Sequence, residues 1–147
     1  MSFVAEAELT IDAPAAAVFD RLVDFAGWPR WMPASFAPVL QVDAPPSLRL
    51  GDRFRVRIGG SPFASTLQVS ILVPSRELGW RGGVRGLLCA EHRFVLVPQD
   101  GRRTRVRSVE TWRGALSAVT RGIVRPLAER IGREQLAGLT RAAVSSN

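Results

Sequence analysis

Proton chemistry needs a titratable side chain in surroundings that set its charge, and this chain has a single histidine, His92. It lies in the run Glu91 to Val97, where apolar and charged residues alternate with the period of a β-strand. A second alternating run, carrying Arg105 to Arg107 and on through Glu110 and Trp112 toward Gly114, follows Pro98-Gln99-Asp100-Gly101, a sequence rich in turn formers. Arginines mark the wet face of both runs: Arg93 on the first, and Arg105, Arg107 and Arg113 on the second. The other face then carries His92, Phe94 and Leu96 beside Val106, Ser108, Glu110 and Trp112. Pairing Leu96 with Val106 in an antiparallel ladder sets Phe94 against Ser108 and His92 against Glu110. The spacing therefore predicts that an imidazole and a carboxylate meet on an otherwise apolar inner face.

Such a pair has three uses. It locks strand register, it orients a bound ligand, or it moves a proton, with His92 acting on a bound oxygen or carbon acid and Glu110 setting its tautomer. A neighbouring carboxylate favours charged imidazole while burial opposes it, so the direction of any His92 shift stays open. Other chemistries are excluded more firmly. One histidine and one cysteine cannot build a zinc site, and no paired acidic helix motif offers a di-metal centre, so no metal is expected. No dinucleotide fingerprint, phosphate loop or nucleophile elbow is present, and no cofactor is expected. Gly82-Gly83 with Gly86 reads as a turn between strands, Cys89 as an inert apolar residue, and tyrosine is absent.

Several elements must position the pair. Phe3, Ala5, Ala7, Leu9 and Ile11 alternate with polar residues as a first strand. At Asp12-Ala13-Pro14 the period changes, and Val18, Phe19, Leu22 and Val23 give a short helical stripe ending near Asp24 to Gly27. Prolines limit Trp28 to Pro33 to one brief further turn. Strands are expected within Phe36 to Asp43, over Arg53 to Ile58, and from Phe63 with Ser65, Leu67, Val69, Ile71 and Val73 on one side. Glu77 to Gly82 is the next, with Leu78 and Trp80 pointing inward. With the pair already described this makes seven strands. No connection after Pro33 has room for a crossover helix, which predicts an antiparallel sheet.

Beyond Gly114 the period is helical to the end. Leu116, Val119, Ile123, Leu127 and Ile131 form a stripe that Leu136, Leu139 and Ala143 continue after a slip. Pro126 should kink or split the helix near Gly122 to Arg125. Gly132 and Gly138 each cost roughly 1 kcal/mol in a helix interior relative to Ala, which points to close approach of another backbone. The predicted fold class is α+β, a curved seven-stranded antiparallel sheet wrapped around one long carboxy-terminal helix, with two short helices after the first strand. A curved sheet over a helix leaves concave apolar space, where ligands bind.

Residues expected around that space are aromatic or apolar. Trp28 and Trp31 sit in the proline-interrupted segment and are placed to gate a mouth, with Met32 and Phe36 on the same rim. Trp80 and Trp112, with Phe54, Phe63, Phe94, Leu116 and Ile123, are inner-face or helix-face lining, either core or cavity wall. Ser65 and Ser108 offer hydroxyls, or bond to backbone.

The chain has 147 residues, 46% hydrophobic and 22% charged, ordinary for one soluble domain, here residues 1–147. All 20 basic residues are arginine and the formal charge is +7. That charge suits anionic partners such as nucleic acid or a membrane surface, or it is a solvated sheet face from an arginine-favouring genome. The alternation of the arginines favours the solvated face, and no nucleic-acid partner is expected. The longest uncharged run, Ile58 to Ser75, alternates and is not expected to span a membrane, and with Glu6, Glu8 and Asp12 among the first residues no signal peptide is expected there. A lone cysteine fits a cytoplasmic setting.

Together the local sequences resemble the START-related SRPBCC superfamily, which spans birch-pollen-allergen-like, polyketide cyclase/dehydrase and lipid-transport proteins. The resemblance rests on Ile11-Asp-Ala-Pro14 before Val18-Phe19, Asp24-Phe25 and Trp28-Pro-Arg-Trp31, then Gly51-Asp-Arg-Phe54 and Leu78-Gly-Trp80-Arg-Gly82. It continues through Glu91-His92-Arg-Phe94, Gly101 with Thr104-Arg-Val106, and Glu110-Thr-Trp-Arg-Gly114. It implies a helix-grip fold, a hydrophobic cavity and a small hydrophobic or amphipathic ligand, in a monomer or homodimer. No shared reaction is implied, since members range from carriers to cyclases. A cyclase or dehydratase using His92 and Glu110 is the alternative function, and anion binding through the outer arginines a third.

Overall fold

A computed structural model describes residues 1–33, 40–58 and 62–145. The first alternating run forms β1 (Ser2–Ile11). Pro14 caps α1 (Ala15–Val23) without a side-chain hydrogen bond. A 3-10 turn over Phe25–Gly27 and the single-turn α2 (Trp28–Trp31) follow. The remaining strands are β2 (Leu40–Asp43), β3 (Arg53–Ile58), β4 (Ser65–Val73), β5 (Glu77–Val84), β6 (Leu88–Pro98) and β7 (Thr104–Arg113), and α3 (Ser117–Val144) closes the chain.

The sheet runs β1-β7-β6-β5-β4-β3-β2, with every neighbouring pair antiparallel. Its topology follows from local wiring: each hairpin pairs with the next, and the first strand returns to the free edge of the last. The expected register holds, with Leu96 opposite Val106, Phe94 opposite Ser108 and His92 opposite Glu110. The sheet and α3 form the helix-grip arrangement, and β1 is the strand on which α3 chiefly rests. On the outer face arginines meet carboxylates: Arg93 Nε donates to Glu77 Oε1 at 2.6 Å, and Arg107 reaches Glu6 and Glu8.

Beneath the sheet, an aromatic core joins α1, α2 and the inner strands. Phe25 lies 4.1 Å from Trp28 and 4.6 Å from Phe54, ring centre to ring centre, and Trp28 lies 5.0 Å from Trp80. The Trp28 indole N–H donates to the Leu22 carbonyl at 2.9 Å, which satisfies its one polar atom in a dry setting.

Two expectations about faces are corrected. The first concerns β4, whose ladder to β5 shifts between Val69 and Ile71. Ser70 is the extra residue of a β-bulge, and one extra residue exchanges the two faces. Val69 opposite Trp80 points inward, but Ile71 then lies over Gly79 on the outer side, and Leu72 opposite Leu78 takes the inner place. Val73 is consequently exposed.

The second concerns α3. It passes Pro126 without a break, and Leu136, Leu139 and Ala143 are buried as expected. At its N-cap and in its first half, however, the stripe is exposed: Leu116 is 40% exposed, Val119 79%, Ile123 77% and Leu127 51%. There the helix stands off the sheet, so an apolar stripe finds no surface to pack on. Close contact begins at Gly132, where an added Cβ would sit 3.3 Å from Ala7 Cβ and 3.5 Å from Ser108 Oγ. At Gly138 it would collide with the Trp31 carbonyl oxygen. These are the close approaches the two glycines foretold.

Gly138→Ala should therefore destabilise by roughly 1–3 kcal/mol through overpacking, even after its gain in helix propensity. Gly122→Ala, where an added Cβ meets nothing within 4 Å, should stabilise by up to about 1 kcal/mol. Urea unfolding midpoints of the two variants moving in the same direction would contradict this packing.

Candidate functional site

A cavity of about 560 Å³ lies between the inner face of the sheet and the raised half of α3. Leu67, Trp80 and Ala90 line it from the sheet, Val124, Ala128 and Ile131 from the helix, and Trp28 and Met32 from α2 and the residue after it. The space exists because α3 diverges from the sheet before Gly132 while its side chains there are too short, or turned too far outward, to fill the gap. His92, Glu110, Trp112 and Gln135 bring polar atoms into this wall.

His92 stacks on Phe94 with ring centres 4.7 Å apart and lies 5.0 Å from Trp80. Part of its ring faces the cavity, yet the surrounding protein strips it of water and lowers its pKa to about 4, leaving the imidazole neutral at pH 7. Its Nε2 and the Ser108 hydroxyl are 2.7 Å apart, and the imidazole tautomer decides which of them donates. The partner expected from the sequence was Glu110. Among the described residues no ion pair joins the two, because Ser108, the diagonal neighbour across the ladder, holds the imidazole instead.

Glu110 is thereby left without an ion pair to His92. Loss of water raises its pKa to about 6, and the Trp112 indole two residues along the same strand face pulls in the opposite direction. That indole N–H has no hydrogen bond of regular geometry. The Gln135 side-chain oxygen, on a residue only 4% exposed, likewise has no partner. A buried polar atom without a partner is costly, and an occupant bearing complementary groups removes that cost.

Of the residues expected around the space, Trp28, Met32, Trp80, Trp112, His92 and Glu110 line it. Phe54 and Phe94 are core, 1% and 0% exposed, behind Trp80. Trp31 packs at the junction of α2 and α3, lining a separate groove with Gly138 and Arg141. Ser108 is buried under His92, and Ser65 lies at the cavity's outer end. Phe63 precedes β4 and is 81% exposed, Leu116 at the N-cap of α3 and Ile123 on its raised half are exposed, and none of the three lines the cavity. Phe36 lies outside the described residues. Gln135 went unnoticed in the sequence; its signal is a polar residue inside the buried stripe of α3, between Ile131 and Leu139.

Among the described residues, no group of histidine, cysteine and acidic residues could hold a metal ion, and no helix is long and apolar enough to cross a membrane. Residues 2–144 match the sequence model of the family described as polyketide cyclase / dehydrase and lipid transport. No curated protein sequence matches the chain significantly. Among solved structures, the chain is similar to hypothetical protein jhp0584 of Helicobacter pylori, with a TM-score of 0.76 and 18% identity over 96% of this chain and 88% of that one. It is also similar to the Zhui aromatase/cyclase of Streptomyces sp. R1128, with a TM-score of 0.73 and 18% identity over 97% and 94% of the two chains. Norcoclaurine synthase from Thalictrum flavum, solved with dopamine and hydroxybenzaldehyde, gives a TM-score of 0.67 and 13% identity over 100% and 89%. At such identities the likeness is one of fold.

Proposed function

The chain belongs to the polyketide cyclase / dehydrase and lipid transport family, and from that premise we propose that it binds a small hydrophobic or amphipathic molecule between the curved sheet and α3. The observation that carries this reading is the cavity of about 560 Å³, walled by apolar side chains and supplied with the unpartnered Gln135 side-chain oxygen beside the Trp112 indole and the Glu110 carboxyl. That volume and lining suit a compact ligand with one apolar body and a few hydrogen-bonding groups. A hydroxyl or amide N–H on the ligand would satisfy the Gln135 oxygen, and a ligand carbonyl would accept from Trp112.

A thermal-shift panel of fatty acids, flat aromatics and polyketide-like phenols tests it. A ligand present at a hundred times its Kd adds roughly 2.7 kcal/mol of stability, a shift easily read. Ala128→Phe, which places a ring in the cavity from α3, should abolish that shift while the free protein still unfolds cooperatively. Equal shifts in the variant and the parent would place the ligand elsewhere.

A second reading, cyclase or dehydratase, is favoured by the unpaired Glu110 carboxylate. A carboxylate with a pKa near 6 is a far better proton acceptor than an ordinary one, and it is ionised at neutral pH. In this reading Glu110 takes a proton from a bound carbon acid, and neutral His92, steadied by Ser108, hydrogen-bonds the substrate oxygen. Turnover should then rise with pH through about 6, and Glu110→Gln should remove it. Full turnover in that variant would end the acid/base proposal and leave the carrier reading intact.

A further inference from the structure

We infer that the ligand carries an anionic group, phosphate or carboxylate, and that this group is gripped outside the cavity by arginines lining a notch between the β3–β4 and β5–β6 hairpins. The inference rests on the cavity being a ligand site and adds the chemistry of the ligand's other end.

The notch comes from the ladder itself. Strands β4 and β5 pair from Gln68 with Arg81 to Val73 with Glu77, and not beyond Gln68 toward the start of β4. From there β4 continues with β3 as far as Ser65, and β5 continues with β6 as far as Val84, so the two hairpins part. The β5 bank of the gap is Gly82-Gly83. An added Cβ at Gly82 would collide with the Leu67 side chain, and Gly83 has a φ of +114°, which disfavours other residues. Neither glycine puts a side chain into the gap: the Leu67 side chain lies against Gly82, and Gly83 is pressed against the Leu88 backbone of β6.

On its outer side the gap leads into a groove of about 710 Å³. The groove and the cavity share Thr66, Leu67, Gly82, Gly83 and Ala90 in their walls, so one thin bank separates them. Arg53, Arg81, Arg85 and Arg113 line the groove, against one carboxylate, Glu91. Toward the β1 and β7 edge of the outer face some arginines are answered by acids, as in Arg93 with Glu77 and Arg107 with Glu6 and Glu8, while Arg55 and Arg57 on β3 have no ion pair among the described residues. Here, among the described residues, Arg53, Arg85 and Arg113 have no ion pair, and Arg81 bonds only the Gln68 side-chain oxygen at 3.4 Å. Glu91 stands opposite Arg81 in register without pairing to it. Unneutralised guanidinium groups converging on a groove suit phosphate or carboxylate oxygens, which they bind through charge-assisted and bidentate hydrogen bonds. An apolar body in the cavity and an anion in the groove describe one amphipathic molecule crossing the notch.

Matched probes test this by isothermal titration: decanol, decanoate, decyl phosphate and inorganic phosphate, each below its aggregation limit. The expected result is that decyl phosphate or decanoate binds roughly tenfold or more tightly than decanol, with the advantage shrinking as salt rises. In Arg81→Gln/Arg113→Gln the advantage disappears while decanol binds as before, which also shows the variant is folded. Decanol and both anions binding alike to the parent protein overturns the anion grip and leaves the cavity reading standing. Failure of all three decyl probes overturns both. Inorganic phosphate binding as tightly as decyl phosphate marks a free-anion site and overturns the link to the cavity. The better of the two anionic probes identifies which head group the groove takes.

Discussion

Trp28→Ala should lower folding stability by roughly 3–5 kcal/mol, the usual range for removing a buried tryptophan. The residue is 3% exposed, packs on Phe25 and Trp80, and supplies the N–H that satisfies the Leu22 carbonyl at the end of α1. Its loss opens a void and leaves a buried acceptor without its donor, and the two costs add. Trp28→Phe keeps most of the packing and loses the hydrogen bond, so it should cost about 1–3 kcal/mol. Urea unfolding followed by circular dichroism measures both. A loss below about 1 kcal/mol for the alanine variant would mean that the segment moves freely as a gate, as its prolines suggest from sequence, instead of forming core.

Glu110→Gln and His92→Phe should change the pH dependence of stability in opposite directions. His92 titrates near 4 when folded and at 6.5 otherwise, so the unfolded chain holds more protons between those values. Its contribution is present above 6.5 and is lost as pH falls toward 4, by about 3 kcal/mol. Glu110 titrates near 6 when folded and at 4.5 otherwise, so the folded chain holds the extra proton. Its contribution is present below 4.5 and is lost as pH rises through about 6, by about 2 kcal/mol. Between 4.5 and 6 the two slopes cancel. Relative to the parent, Glu110→Gln should therefore gain about 2 kcal/mol between pH 4 and pH 7. His92→Phe should gain about 3 kcal/mol, again relative to the parent, as pH falls from 7 to 4. Denaturation midpoints of either variant that run parallel to the parent across this range would contradict the environments assigned to these side chains.

The strand register was readable because arginine alternation left one arrangement in which Arg93, Arg105 and Arg107 all reach water, and that arrangement fixes His92 opposite Glu110. Gly132 and Gly138 were readable for a related reason: glycine is unfavourable in a helix interior unless another chain segment comes close. What could not be read depends on tertiary geometry. Nothing local marks Ser70 as an inserted residue, yet it moves Ile71 outward and Leu72 inward. Helical periodicity says which residues share a stripe, not whether the helix touches anything there, so Leu116 and Ile123 were assigned to a wall they do not reach. Direct cross-strand pairing likewise proposed Glu110 for His92, while the diagonal Ser108 hydroxyl is the group in contact. That exchange matters for chemistry, because it leaves the carboxylate as the unpaired titratable group of the cavity.

The most direct measurement is a titration of the Glu110 carboxyl carbon by NMR, in protein labelled at glutamate, without and with a neutral apolar ligand. A midpoint near 6 in the free protein, moving higher when the ligand displaces remaining water, is the predicted result. A midpoint at the ordinary 4.5, unmoved by ligand, would mean that Glu110 faces open solvent and that no apolar ligand site surrounds it.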